Sequence, residues 1–433
     1  MNKEPVISGR IMFYGKSALH ATFVKITLKD DPDLYLLQKA VDEAVRHYPW
    51  VTYGVREERG MFYYRDDLPR SIKIAEWNED HPPVIGGEDV EGHLFGVFYH
   101  GRNLYISIFH GLTDASGVKA FVDCALGCYQ SLLKETPFTF METECPDMEA
   151  EPFLMINHAM REAGLVWGVR KFVWMLKETV MVWSNNYAAH PVSLSSKDGP
   201  RSFFIRADAG ELMRFIKGLG IKPSAAFVSL YAAAFLKVHP DAQDNIKVAL
   251  PVDFREVLGI PHTFRNCTMP PYMFKVKIIK GESFREMAAR INRIIMRIID
   301  TKEKLYAVKG FAVYMNFIPK LSYDRMNAVL AKSVSLDRLP FTFACSYALR
   351  FHDEPYLDII EQIYAMNPPY GPVPVLEIIA MPDQFCISLT QSNSTDVYIH
   401  AFLEQLKLNG VNAELVETIV AANQYVDLRQ SIN

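Results

Sequence analysis

The chain lacks any C-x-x-C pair. Its six cysteines, Cys124, Cys128, Cys145, Cys267, Cys345 and Cys386, fall at no metal-ligand or redox spacing, so they read as reduced, mostly buried thiols. Cys124 and Cys128, one helical turn apart, read as packing. A run of some eighteen unbroken apolar residues is also missing, so no membrane span is expected. The nearest approach, residues 165–183, is broken by Arg170, Lys171, Lys177 and Glu178. Its Trp167, Trp174 and Trp183, with Met175 and Met181, read first as an amphipathic helix packed on its own domain. Lining an acyl channel or a peripheral membrane contact are the alternatives. No G-x-x-x-x-G-K-[ST] or G-x-G-x-x-G fingerprint occurs, so neither nucleotide hydrolysis nor a nicotinamide cofactor is implied. Neither sign of charge dominates. With 46 Lys and Arg against 50 Asp and Glu there is no broad basic field for nucleic acid, although a local patch facing a phosphate-bearing cofactor stays open. The first residues, Met-Asn-Lys-Glu-Pro, carry charge in place of an apolar segment, and a cytoplasmic address is expected.

What remains is an ordinary globular composition, 49% apolar and 22% charged, over 433 residues, long enough for two domains with separate cores. In the first half the spacing predicts a strand over 21–28, a helix over 31–48, and short strands over 52–57, 61–64 and 72–75. Strands over 94–99 and 104–109 flank a turn at His100-Gly101-Arg102-Asn103. Residues 137–152 are acidic and proline-bearing, a loop. The Ser-, Gly- and Pro-rich stretch SLSSKDGPR, residues 193–201, is the best linker, which puts one domain at 1–192 and the other at 193–433. The second half repeats the grammar: a strand at 201–205, helices at 209–218 and 224–238, and a strand at 246–252. A long loop, strands over 273–279, helices over 284–302 and 321–333, and C-terminal strands follow. The fold class expected is α/β (α+β), mixed sheets covered by helices.

One segment combines these elements with chemistry. Leu104, Ile106 and Ile108 alternate with Tyr105, Ser107 and Phe109 as in a strand. His110-Gly-Leu-Thr-Asp114-Ala-Ser-Gly117 then turns the corner into a helical stripe of Val118, Phe121, Val122, Ala125, Leu126, Tyr129, Leu132 and Leu133, with Ser116 available as N-cap. A histidine at such a corner is mounted as a base would be. The His-x-x-x-Asp pattern alone is weak, since twelve histidines give one chance match about as often as not. A buried, satisfied histidine on a capped turn is the competing reading.

Four stretches taken in order resemble the His-x-x-x-Asp acyltransferase superfamily, which includes chloramphenicol acetyltransferase, condensation domains, plant BAHD acyltransferases, polyketide-associated acyltransferases and alcohol acetyltransferase-like proteins. They are FHGLTDASG (109–117), DPDLYLLQKAVDEAVRHYPWV (31–51), GIKPSAAFVSLYAAAFLKV (220–238) and VALPVDFREVLGIPHTFRNCTMPPYMF (248–274). Phe109 stands where condensation domains have a first histidine, and Gly117 is displaced by two residues from the family's glycine. A looser likeness covers FACSYALRFH (343–352), similar to an "SYxGRF" phrase.

The resemblance implies two chloramphenicol acetyltransferase-like lobes, each a mixed sheet covered by helices, with an active-site tunnel between them. It implies His110 as general base on an alcohol or amine that attacks an acyl thioester. Asp114 would be a structural residue paired with Arg255 of the other lobe; the alternative for Arg255 is a surface residue beside Asp253 and Glu256. Gly111 and Gly117 would be motif residues that permit close approach, and the amide of Gly111 or Leu112 would face a developing oxyanion. Asn266, Ser346 and Tyr347 are tunnel candidates, with ordinary strand residues as the alternative for the last two. His20 and His352 read as structural. No metal and no tightly bound cofactor are implied; acyl-coenzyme A or a carrier-protein thioester would be the co-substrate and a small molecule the acceptor. A free-standing condensation enzyme and a non-catalytic binding member are the competing functions.

Overall fold

The computed structural model describes residues 4–13, 21–78, 83–138, 145–168, 200–242, 245–268, 271–317, 341–367, 373–393 and 395–420, with 173, 322 and 324–325. The expected boundary at 192/193, most of the tryptophan-rich stretch, most of the helix expected over 321–333, and His20 lie outside them.

In the first half, β1 (Ala21–Leu28) leads to α1 (Leu34–His47), whose N-cap Asp33 accepts the amides of Tyr35 and Leu36. Its buried face, Leu37, Ala40, Val41, Ala44 and Val45, has the 3.6-residue period the sequence shows. A hairpin of β2 (Gly54–Glu58) and β3 (Met61–Arg65) follows, then β4 (Ile74–Glu76), β5 (Phe95–His100) and β6 (Asn103–Phe109). His100 and Asn103 pair with each other, so the β5–β6 turn is only Gly101-Arg102, tighter than expected, with Gly101 left-handed at φ 52°. After β6 come α2 (Ala115–Leu133) and α3 (Pro152–Glu162).

The second half holds β7 (Arg201–Asp208), α4 (Ala209–Leu219), α5 (Pro223–Val238), β8 (Ile246–Leu250), a single turn α6 (Arg255–Leu258) and β9 (Tyr272–Val276). The helix expected over 284–302 is two, α7 (Phe284–Ile298) and α8 (Thr301–Phe317). The Asp300 carboxylate accepts the amides of Lys302 and Glu303 and starts the second. Then come β10 (Phe343–Arg350), β11 (Ile360–Met366), β12 (Val375–Ala380), β13 (Gln384–Gln391), α9 (Val397–Leu408) and β14 (Ala413–Val420). The helix α9 corrects an expectation of strands alone there.

Two larger sheets result. The five-stranded one has the order β11-β1-β6-β5-β4, and the seven-stranded one β14-β7-β13-β12-β10-β8-β9. The strand β11, from the second half, closes the first sheet by pairing antiparallel with β1, Phe23 opposite Met366. Each sheet carries its own apolar core, and α5, apolar all round, is buried along most of its length in the second. No single helix among the described residues is long and apolar enough to cross a membrane.

The sheets meet through β11 and β1. Phe204 packs on Tyr364 at 4.7 Å between ring centroids, and buried Lys25 pairs with Glu417. The alternation of β12 and β13 sends Leu376, Ile378, Phe385, Ile387 and Leu389 into the second core. The opposite face of these two strands includes Glu377, Ser388 and Thr390, all buried. Glu377 is 3% exposed, and Asn367 Nδ2 donates to its Oε1 at 2.6 Å. Burial pushes this carboxyl up from 4.5 to about 7 against that hydrogen bond. As pH climbs from 4.5 to about 7, the unfolded chain releases a proton that the folded chain keeps, so stability falls across this window, by on the order of 3 kcal/mol. Glu377→Gln should therefore gain melting temperature relative to the unmodified protein at pH 8 but not at pH 4. A difference that stays constant with pH would refute this.

Candidate active site

The strand β6 ends at Phe109 and delivers His110 into the turn before α2. The helix begins at Ala115, and its N-cap is Asp114, in extended conformation, whose carboxylate accepts the Gly117 amide at 3.1 Å. Ser116 is not the cap expected from sequence. It sits inside the first turn, where its hydroxyl donates to Asp253 Oδ2 at 2.8 Å.

Asp114 is buried, and four donors fill its two oxygens. Oδ1 takes Gly117 N and Arg255 Nη2 (2.7 Å); Oδ2 takes Arg255 Nη1 (3.1 Å) and Cys267 N (2.7 Å). Arg255 is as completely engaged. Its remaining N–H groups reach Thr263 O, Arg265 O and Asp253 Oδ2, so all five donors of the guanidinium are used. Burial alone would pull the Arg255 pKa down, but the Asp114 charge together with the other neighbouring negative charge and the Asp114 hydrogen bonds outweighs it and carries the value up. The residues are 141 apart in sequence and form a bidentate pair with side chains 7% and 1% exposed. Arg255 also contacts Asp253, as its surface alternative had it, but from a buried position.

The loop after α6 lies against the corner. Thr113 Oγ1 donates to Phe264 O at 2.5 Å, and Phe264 stacks on Trp50 with centroids 5.0 Å apart. A Cβ on Gly117 would stand 2.1 Å from Thr113 Oγ1 and 2.6 Å from Phe264 O, so this close approach requires glycine. Gly111 is similarly confined, by the rings of Phe109 and Phe13.

His110 is half-buried. Its Nδ1 lies 2.9 Å from Thr113 O, and a carbonyl only accepts, so Nδ1 carries the proton. In the neutral ring Nε2 is then the basic nitrogen, and it has no hydrogen-bond partner among the described residues. Asn266, 1% exposed, donates from Nδ2 to His110 O at 2.9 Å. Its Oδ1 accepts the Thr268 amide, which fixes the orientation of the amide group. The Leu112 amide is spent on Phe109 O at 2.9 Å, so of the two amides expected to face an oxyanion only that of Gly111 stays open among the described residues.

His110, Gly111, Asp114, Gly117, Arg255 and Asn266 thus form one hydrogen-bonded corner. Ser346 and Tyr347, on β10, make no hydrogen bond to it among the described residues. Tyr347 packs toward Phe385, while Ser346 is the register partner of Glu377. Burial raises every cysteine thiol, Cys124 and Cys386 to about 12, so none presents a thiolate near neutral pH.

Sequence reasoning missed a second bolt. Arg265 and Glu151, both fully buried, pair at 2.8 Å, and Glu151 also accepts the amides of Ile7, Ser8 and Phe153. Its local signal was an acidic residue directly before Pro152, an N-cap position. Tyr64 was missed too; its hydroxyl donates to Gly111 O at 3.0 Å.

Removing one member of the Asp114–Arg255 pair strands the other. Arg255→Met and Asp114→Ala should each lose about 3–5 kcal/mol, and the double variant less than their sum. Gly117→Ala should lose about 1–3 kcal/mol through overpacking. Chemical denaturation reads all four; losses under 1 kcal/mol, or additive ones, would show the pair to be peripheral.

No family model matches the chain, and no curated protein matches it by sequence. Solved structures do. The TRI3 trichothecene 15-O-acetyltransferase from Fusarium sporotrichioides superposes with a TM-score of 0.66 at 13% identity, covering 93% of each chain. The first condensation domain of the CDA synthetase gives 0.60 at 12% identity over 98% of this chain and 99% of that one. TRI101 of F. graminearum, solved with coenzyme A and deoxynivalenol, gives 0.58 at 14% identity over 94% and 97%. These likenesses span nearly the whole of each chain, and the protein has the two-lobed chloramphenicol acetyltransferase-like fold that acetyltransferases and condensation domains share.

Proposed function

We propose that this protein transfers an acyl group from acyl-coenzyme A to an alcohol or amine, with His110 as general base. The observation that carries the reading is the fixed imidazole: Thr113 O holds the Nδ1 proton at 2.9 Å and leaves Nε2 to act as the base. The acceptor's hydroxyl or amine gives its proton to Nε2 as its heteroatom attacks the thioester carbonyl. The tetrahedral oxyanion meets the Gly111 N–H. Collapse breaks the C–S bond, and the imidazolium returns the proton to the departing thiolate, leaving an ester or amide and a free thiol. A thioester is already activated, so the reaction needs no covalent enzyme intermediate. The likeness to TRI3 and to TRI101 bound to coenzyme A supports coenzyme A as donor and a small hydroxylated molecule as acceptor.

The second reading, a condensation enzyme that takes a carrier-bound thioester and forms an amide, is favoured by the nearly complete coverage of the CDA condensation domain. Against it, Phe109 replaces the first histidine and is packed at 1% exposure against Phe13.

Release of free thiol should be followed with acyl-coenzyme A, and separately with an acylated carrier protein, against a panel of alcohols and amines. Turnover with coenzyme A is the expected result, and turnover with the carrier alone selects condensation. His110→Ala should lower kcat/KM by about 10²–10⁴ with an unchanged melting temperature. Silence with both donors would defeat the enzymatic reading.

A further inference from the structure

We propose that Glu377 is a specificity residue of the acceptor site, where its open carboxyl oxygen receives a second hydroxyl or amino group on the acceptor, remote from the one acylated. The inference rests on the acyl-transfer reading for calling the ligand an acceptor, not for the existence of the site.

Three structural facts distinguish this group from the other buried carboxylates among the described residues, Asp114 and Glu151. First, Oε1 is anchored by Asn367 Nδ2, and Asn367 Oδ1 accepts from Thr22 Oγ1 in turn, so the group is held in one orientation. Second, Oε2 is enclosed and has no hydrogen-bond partner among the described residues. Leaving a buried polar atom unpaired costs about 1–3 kcal/mol, and native proteins rarely do so. Third, its flanking polar neighbours are unequal. Ser388, opposite it on β13, spends its hydroxyl on Ala365 O at 2.5 Å. Ser346, opposite it on β10, is half-buried and makes no hydrogen bond among the described residues. Oε2 and Ser346 thus leave two adjacent strands with open polar groups at the same level.

The strand register relates this pair to His110. Phe109, at the end of β6, lies opposite Ala21 of β1. The next residue of β1, Thr22, bonds Asn367, directly after the end of β11. His110 and Asn367 therefore occupy the same end of the five-stranded sheet with β1 between them, two strand spacings or about 10 Å apart, and Glu377, on β12 of the other sheet, is held there by Asn367. An acceptor whose nucleophile meets Nε2 and whose second polar group lies that far along would complete the unpaired oxygen. Burial pushes this carboxyl up to about 7, so near neutral pH it is divided between its two forms, and a donor at Oε2, an ammonium above all, draws it to the ionised one. The shared chemistry is a hydrogen-bond donor.

Binding of 1-octanol, 1,8-octanediol and 8-amino-1-octanol, which span a comparable distance, can be measured calorimetrically on the unmodified protein and on Glu377→Met, Glu377→Gln and His110→Ala. The unmodified protein should bind the diol or the amino alcohol at least tenfold more tightly than octanol. Glu377→Met should erase that preference and His110→Ala should keep it. The glutamine variant separates the sources: its oxygen keeps the Asn367 donor and its NH2 takes the place of Oε2, where it donates to a hydroxyl oxygen, so a diol preference survives, whereas an ammonium, which cannot accept, loses its preference. Equal binding of the three probes, no binding of any, or a preference that persists in Glu377→Met overturns the proposal. A preference without transfer from either acyl-coenzyme A or an acylated carrier protein would defeat the acyl-transfer reading alone; transfer without a preference would defeat this one alone.

Discussion

The burial of one carboxylate, Asp114, at the end of a strand sets the terms for the whole corner. A charge taken out of water costs several kcal/mol unless it is matched, and Asp114 is matched by four donors from three places in the chain: Gly117 N, Cys267 N and two nitrogens of Arg255. Arg255 is matched by five acceptor contacts in return. Such a pair contributes less to net stability than to uniqueness: another placement of the 253–267 loop would leave a guanidinium or a carboxylate buried without its partners. This ion pair therefore fixes where the 253–267 loop lies on the first half of the chain.

The orientation of His110 follows from that fixation. The loop that carries Arg255 also carries Phe264, whose carbonyl takes the Thr113 hydroxyl, and Asn266, whose amide holds the His110 carbonyl. Thr113 in turn holds the ring through its own carbonyl. Each contact that sets the imidazole is thus one step from the Asp114–Arg255 pair, and Gly117 leaves the loop the room it needs. The division of labour is physical: the aspartate shapes the corner, the histidine is left with one open nitrogen, and neither could take the other's place.

Whatever depends on local period was legible in the sequence. The stripe of α1, the alternation of β6 and the apolar face of α2 need only neighbours three, four or two residues away. Terminal residues were less so: Asp114 and Ser116 are both good caps by type, and only the extended backbone at Asp114 decides between them. The break between α7 and α8 was present as Asp300, a capping residue inside an otherwise helical stripe. The stripe of α9, with Tyr398, Ile399, Phe402 and Leu406 at helical spacing, was present as well. Partners far apart were not readable from spacing. The pairing of Asp114 with Arg255 came from resemblance, and nothing in the local sequence joins Arg265 to Glu151 or β11 to β1. In Val375-Leu-Glu377-Ile-Ile-Ala380 a single glutamate reads as the solvent-facing residue of a half-buried strand. Its burial is known only once a second sheet covers that face.

Among the described residues three carboxylates are buried, Asp114, Glu151 and Glu377, and the contrast between them is instructive. The first two face arginines and collect backbone amides as well, Gly117 and Cys267 for one, Ile7, Ser8 and Phe153 for the other. Both tie distant segments together, and the oxygens of both are partnered within the protein, although Arg265 keeps Nε and Nη2 without partners among the described residues. Glu377 has one donor, no cation, and an oxygen left open. A chain that satisfies two buried carboxylates has the means to satisfy a third, and an amide or hydroxyl opposite Oε2 would have sufficed. Departures from full satisfaction concentrate where a protein must meet something other than itself. The incomplete cage lies at the same end of the sheet as His110, whose basic nitrogen is also without a partner among the described residues. Two open polar groups held rigidly by closed networks are what a site that orients a bifunctional ligand requires, since the cost of ordering has been met in folding.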